Sequence, residues 1–280
     1  MRITTRNASF QQWQALLTNR TKRQRSGTFL VQGVRPITLA ASYGWTIETL
    51  IHSASSALST WARELIADTG ATAVAMAPEL VAELAEKDEA EMVAVVRRPP
   101  DDLNRITAGP RLLVVVFDRP STPGNIGTLV RSADAFGASG VIVTGHAADP
   151  YDPRAVRAST GSLFALPVVR ADSHQQVLDW LAGFSSPDSP LSSRGEAPAA
   201  ALGLRIAGTD EHGPVDVADY DLTGPRVLLI GNETTGLSAG WREAADDMLR
   251  IPITGAASSL NAAAAATVVL YEAARQRKVR

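Results

Sequence analysis

The run Leu228-Leu229-Ile230-Gly231-Asn232-Glu233-Thr234-Thr235-Gly236-Leu237-Ser238 decides how this chain is read. A strand-like apolar segment breaks into a small polar loop with a glycine at either end and one carboxylate, Glu233, within it. Downstream, Ile251-Pro252-Ile253 closes a second strand-like piece, and Ser258-Ser259-Leu260-Asn261 forms a second loop that feeds the helical stretch beginning at Ala262. Open α/β sheets bind ligands where strands end in loops of this kind. The spacing brings Glu233 and Asn261 to one end of a sheet. A solvated turn is the other reading of Glu233, although an ionised carboxylate needs partners or water. Capping of the following helix is the other reading of the serine–asparagine cluster.

Upstream, Leu112-Leu113-Val114-Val115-Val116-Phe117 is apolar without a break, as expected of a strand buried on both faces of a parallel sheet. Pro123-Gly124-Asn125-Ile126-Gly127-Thr128-Leu129-Val130-Arg131 follows, and its helix start could hold an anion. Asn125 and Arg131 stand nearly two helical turns apart, so both could lie near that start; a glycine-bearing turn with a surface arginine is the alternative. The dinucleotide, Walker A and nucleophile-elbow patterns are absent. The strand ending in Thr144-Gly145-His146 offers no carboxylate to a ribose, which disfavours a nicotinamide oxidoreductase. With no cysteine, and with His52, His146, His174 and His212 scattered, no metal is expected.

The 280 residues carry a net charge of -2, too little for a strongly basic nucleic-acid binder. The distribution says more. Residues 1–35 hold seven basic side chains (Arg2, Arg6, Arg20, Lys22, Arg23, Arg25 and Arg35) and no acidic one, a candidate phosphate-contacting surface. A solvated basic start without a partner is the alternative. The start also lacks an apolar signal core, and no apolar run could span a bilayer, so the reading is a cytoplasmic protein without a membrane partner.

Pattern and turn signals predict a helix over 7–19, a loop over Arg20–Arg25, and strands at 28–32, 46–51, 72–76 and 91–96 with helices from about 34, 56 and 78. Arg97-Arg98-Pro99-Pro100-Asp101-Asp102 breaks the pattern. The expected domains are 1–97, a linker at 98–109, and 110–280. In the last, strands are expected at 112–117, 141–143, 163–169, 204–207, 226–230 and 248–253. Helices fit at about 125–137, 153–159, 174–183, 238–246 and 260–277. Residues 184–202, rich in Ser, Pro, Gly and Ala, read as a mobile loop.

Taken together, Asn125–Gly137, Ala158–Phe164, Gly231–Ser238 and Ile251–Gln276 resemble the SpoU (TrmH) family of RNA ribose 2′-O-methyltransferases, within the SPOUT superfamily. The order of these motifs is the family's, and the resemblance covers about residues 110–278. Phe29-Leu30-Val31-Gln32-Gly33-Val34-Arg35-Pro36 is similar to the signature of the substrate-binding domain that often precedes it. The resemblance implies a parallel α/β sheet with a trefoil knot, preceded by a smaller ribosomal-protein-like α/β domain. It implies a homodimer that binds S-adenosylmethionine through Gly231, Ile251 and Leu260, with Asn125, Arg131, Glu233, Ser259 and Asn261 in the chemistry. RNA would be held by Arg20, Lys22, Arg23, Arg25 and Arg35. Ribosomal RNA is the expected substrate, with transfer RNA methylation or a non-catalytic RNA-binding scaffold as alternatives. Arg131 is assigned in the family as a phosphate-assisted base. A guanidinium seldom releases its proton in a protein, so an electrostatic clamp is an equally physical role.

Overall fold

The computed structural model describes residues 2–55, 57–184 and 203–278. They fall into two compact units, Met1–Pro99 with Asp149–Ala165, and Pro100–Ala148 with Leu166–Arg280.

In the first unit β1 (Arg2–Ile3), β2 (Thr28–Gln32), β3 (Ile47–Ser53), β4 (Thr72–Met76) and β5 (Met92–Arg97) form one sheet in the order β1-β4-β3-β5-β2. β1 adds to the expected strands; at two residues it is too short to show a period. The helix Ala8–Thr18 starts under Asn7, whose side chain accepts the Phe10 amide. Arg20–Ser26, expected as a loop, is a second helix. Asn19 caps it by accepting the Lys22 amide, Gly27 ends it at φ +66°, and the Arg, Lys and Gln between are good helix formers. The helix expected from about residue 56 begins instead at Thr60, under a Ser59 cap. Ser56 lies outside the described residues, as does the expected loop beyond Phe184 up to Leu202.

Residues 149–165, expected as part of the second domain, complete the first unit. Tyr151 packs on Phe29 at 4.8 Å and Phe164 meets Trp45 edge-on at 5.1 Å, with the Trp45 indole donating to the Phe164 carbonyl. Gln32 accepts from Arg157 and donates to the Leu84 carbonyl. Only 2% exposed, Arg23 forms ion pairs with Asp149 at 2.8 Å and Asp152 at 3.4 Å and donates to the Leu16 carbonyl. Leu163–Val169, expected as a strand, is a helical turn Ser162–Ala165 followed by a strand that starts only after Pro167.

The second unit holds one seven-stranded sheet, with every strand pairing among its described residues parallel. β6 (Leu113–Asp118), β7 (Gly140–Thr144), β8 (Val168–Ala171), β9 (Arg205–Thr209), β10 (Val215–Asp216), β11 (Arg226–Ile230) and β12 (Asp247–Arg250) are ordered β10-β12-β9-β11-β6-β7-β8. β6, β7 and β11 are buried at every position, as continuous apolar runs require. β12 stops at Arg250, before Pro252, short of its expected end. The expected linker carries a 3-10 turn, Leu103–Arg105, and buries Leu103 and Ile106 in this unit's core. Helices Pro123–Ala135 and Ala262–Lys278 pack on each other, joined by the Ser132 and Thr267 hydroxyls at 2.7 Å.

Removing Arg23 strands two carboxylates in a nearly dry site. Arg23→Ala is expected to destabilise the protein by about 3–5 kcal/mol, against roughly 0.5 or less for Lys22→Ala, which is exposed. Urea unfolding of both variants checks this.

Candidate active site

The loop after β11 is shaped by its own backbone. Asn232 and Gly236 exchange two amide–carbonyl hydrogen bonds at 3.0 Å, and Gly236 takes φ +63°. A Cβ on Gly231 would stand 2.5 Å from the Gly236 carbonyl carbon, so only glycine fits there. The Asn232 side chain accepts the amides of Thr234 and Thr235 and donates to the Arg119 carbonyl at 2.7 Å. That pins the loop to the end of β6.

Glu233 is half-buried within this loop. One carboxylate oxygen accepts from Asn125 Nδ2 at 2.8 Å. The other accepts the amide and the hydroxyl of Ser121, at 3.1 and 3.0 Å, and Asn232 Nδ2 at 3.4 Å. Burial works to raise the carboxyl pKa, but the bonds from Asn125, from its own loop backbone and from Ser121 outweigh it. Glu233 sits below the usual carboxylate range.

Asn261 does two things at once. Its Oδ1 accepts the amides of Ala263 and Ala264 and so caps the last helix, while its Nδ2 donates to Asn125 Oδ1 at 3.2 Å. The capping and site readings are therefore both satisfied, and by Asn261 rather than by either serine. Asn125, Glu233 and Asn261 thus form one chain of hydrogen bonds from three distant segments.

Beside it lies a pocket of about 480 Å³ lined by Thr209, Asp210, Gly231, Ile251, Ser259 and Leu260, among others. Three of these are the residues expected to hold the cofactor. Asp210 is held below its usual pKa chiefly by the His212 amide, against burial, with Arg242 at 2.7 Å also lowering it. Main-chain groups of a tight glycine loop, apolar Ile251 and Leu260, and polar edges suit a nucleoside-bearing cation of this size. Among the described residues, no group of His, Cys, Asp and Glu could hold a metal ion.

Arg131 stands apart. It is exposed on helix Pro123–Ala135, and among the described residues it makes no hydrogen bond or ion pair with the Asn125–Glu233–Asn261 chain. Six residues along a helix turn a side chain about 120° away from its reference, so two near-turns do not align it with Asn125. Of the basic residues expected to meet RNA, Lys22, Arg25 and Arg35 are exposed, Arg20 is half-buried, and Arg23 is withdrawn into its ion pairs. Arg35 also reaches the Thr160 carbonyl at 3.3 Å. The sequence reading missed Ser121, Asn232 and the Thr209-Asp210-Glu211 edge. Ser121 had a local signal, a small hydroxyl two residues before the Pro123 helix start; the edge had none beyond the end of a strand.

A profile of the SpoU rRNA methylase family matches residues 112–185 and 196–271, and one of the SpoU L30e-like domain matches 7–94. A 23S rRNA (uridine(2479)-2′-O)-methyltransferase of Streptomyces viridochromogenes is 55% identical over 278 residues, covering 99% of this chain and 92% of that protein. The crystal structure of the SpoU methyltransferase AviRb from S. viridochromogenes with AdoMet superposes with a TM-score of 0.87 at 55% identity, over 98% of this chain and 99% of that one. An AdoMet-bound rRNA methyltransferase from Sinorhizobium meliloti gives 0.83 at 29% identity, over 98% and 97%.

The Glu233 carboxyl is expected to titrate below the ordinary glutamate value. Its stabilising bonds are present above that value and lost as pH falls through the lower native pKa. Asn125→Ala should move the midpoint up. Carbon-13 NMR of the side-chain carboxyl reads both, and an unmoved midpoint in the variant counts against the assignment.

Proposed function

Since the chain belongs to the SpoU rRNA methylase family, we propose that it is an S-adenosylmethionine-dependent enzyme that methylates a ribose 2′-hydroxyl in ribosomal RNA. The observation that carries this is the 55% identity along 99% of the chain to a 23S rRNA uridine 2′-O-methyltransferase. A uridine of 23S rRNA is the substrate we propose. The presence of the L30e-like domain favours ribosomal over transfer RNA. An rRNA substrate supports a cytoplasmic reading of the enzyme. Among the described residues no helix is long and apolar enough to cross a membrane.

The cofactor supplies a methyl group on a sulfonium. Gly231, Ile251 and Leu260, which line one pocket, would hold it, and the segments around them are where we place the family's knot. In the reaction a bond would form between the ribose oxygen and the methyl carbon while the carbon–sulfur bond breaks, its electron pair staying on sulfur as a neutral thioether, and the hydroxyl proton would pass to water. Alignment of the two partners supplies up to about 7–11 kcal/mol of the barrier reduction. Glu233, held below the usual carboxylate range by its donors, anchors Asn125 and Ser121 in this reading rather than taking the proton. Asn125 and Asn261 carry that order toward the cofactor loop, and Ser259 lines the same pocket.

The guanidinium that steadies the RNA phosphate and the developing alkoxide is Arg131, and a second subunit delivers it. Val268 (37%) and Tyr271 (58%) lie exposed on the last helix, beside the helix that bears Arg131, with Phe136 against Tyr271 at 5.9 Å. This apolar strip is the proposed homodimer contact. Lys22 and Arg25 in the other unit take RNA phosphates.

The test is transfer of tritiated methyl to an unmodified 23S rRNA transcript, mapped by mass spectrometry. Label on a base, or only on transfer RNA, defeats the proposal. Arg131→Ala and Glu233→Gln should each lose transfer by 100-fold or more, on the order of one stabilising group, while still binding cofactor. Mixing the two variants should restore about a quarter of the wild-type rate, because half of a statistical mixture is hetero-dimer with one intact site of two. No recovery places Arg131 in its own subunit's site. Separately, Lys22→Ala with Arg25→Ala should flatten the dependence of log affinity on log salt by about 1.4, at roughly 0.7 per contact with single strands. An unchanged slope removes both from the RNA face.

A further inference from the structure

The end of β6 carries a strained arginine. Arg119 follows Asp118 directly and adopts φ +52°, the left-handed region that is costly for a non-glycine residue. Glycine would sit there without that cost. Strain of this kind persists where the surroundings over-determine it, and it gathers at functional sites.

The surroundings here are specific. Arg119 Nε and Nη2 both donate to Asp118 Oδ2 at 3.1 Å, and Nη2 also donates to the Gly236 carbonyl at 3.0 Å. The Arg119 amide donates to the Thr144 carbonyl and its own carbonyl accepts from Asn232 Nδ2. Asp118, 2% exposed, further accepts the Ser238 amide at 2.8 Å and the Thr144 hydroxyl at 3.3 Å. The backbone opposite is tailored to fit, since a Cβ on Gly145 would stand 2.9 Å from Arg119 Cγ. Two consecutive residues therefore grip the 231–238 loop at Asn232 on one side of Glu233 and at Gly236 and Ser238 on the other.

We infer that Arg119 is a positioning residue for this site: its strained backbone and its guanidinium clamp the 231–238 loop, setting both the cofactor-lining main chain at Gly231–Gly236 and the carboxylate of Glu233. It acts through the loop and touches neither reactant. The twisted backbone aims the Arg119 carbonyl at Asn232 while the guanidinium reaches Gly236. The inference rests on the methyltransferase reading of the same pocket.

Arg119→Gly is the informative variant, because it removes the guanidinium while relieving the backbone strain; Asp118 keeps the Ser238 amide and the Thr144 hydroxyl but loses its cation. The expected result is an AdoMet dissociation constant about tenfold weaker, the scale of one charge-assisted hydrogen bond. The acid limb of the rate against pH should shift upward as Glu233 loses its fixed donors. The KM for a 23S rRNA transcript should stay near wild type, while the melting temperature falls as Asp118 loses its cation, the protein remaining folded at the assay temperature. Arg119→Lys should recover part of the cofactor affinity, since an ammonium keeps the charge but not the fork that spans Asp118 and Gly236. Wild-type affinity and an unmoved acid limb in Arg119→Gly overturn the inference. A raised KM for RNA with intact cofactor binding also overturns it, by making Arg119 a phosphate contact. If the wild-type protein binds AdoMet but methylates no RNA, the methyltransferase reading falls, while the cofactor titration of the variant still decides the role of Arg119.

Discussion

The Glu233 carboxylate is the constraint on which the site depends. A carboxylate partly withdrawn from water must replace its hydration with fixed donors, and here those come from Ser121, Asn125 and Asn232. Asn125 is in turn tied to Asn261, so the loops after β6, after β11 and after β12 cannot take their shapes independently. Losing any one donor would leave charge short of partners and release the others. The lowered pKa of Glu233 expresses the same fact: the donors more than offset its burial.

Sheet topology explains why these loops meet. From β6 the chain runs outward through β7 to β8, resumes at β9 on the other side of β6, steps out to β10 at the edge and comes back to β11, which pairs with β6. The strand order therefore reverses between β6 and β11, where open parallel sheets leave a crevice for a ligand. Register sharpens this. Ile230 stands opposite Phe117, so Gly231 and Asp118 leave the sheet at the same level and their loops interlock within hydrogen-bond reach. Parallel pairing puts both carboxyl ends on one edge; an antiparallel pair would have placed them at opposite edges.

Much of this is legible in the residues, for identifiable reasons. The apolar run at 112–117 reads as a doubly buried strand and is one, and the helix expected at 174–183 keeps those bounds. What cannot be read depends on partners far along the chain. Nothing near Arg23 distinguishes it from Lys22 or Arg25; its burial follows from Asp149, 126 positions away. The same long-range contacts draw 149–165 into the first unit, although a boundary drawn from local composition assigns them to the second. Leu163–Val169 misleads through hydrophobicity alone, since Pro167 and the turn at Gly161 divide it into a helical turn and a later strand. Asn232 reads as a minor replacement in a glycine loop, yet it fastens that loop to β6.

The geometry also divides the chemical labour. A ribose hydroxyl becomes a better nucleophile as its proton leaves, and the group that assists must meet negative charge as it develops. Glu233 is held below the usual carboxylate range as the acceptor of Asn125, Ser121 and Asn232, which suits it to fix those donors rather than to meet negative charge. Asn125 and Asn261 are neutral and bonded to each other, so they orient without titrating. Arg119 is committed to Asp118 and Gly236. Arg131 alone among the residues assigned to the chemistry carries a positive charge, and it is exposed, with no bonded partner among the described residues of its own subunit. In the dimer proposed above, the uncommitted Arg131 of one subunit and the Glu233 pocket of the other would be complementary halves. Completing the site by association would confine phosphate-assisted alkoxide stabilisation to the assembled enzyme and leave the lone subunit able to bind cofactor without consuming it.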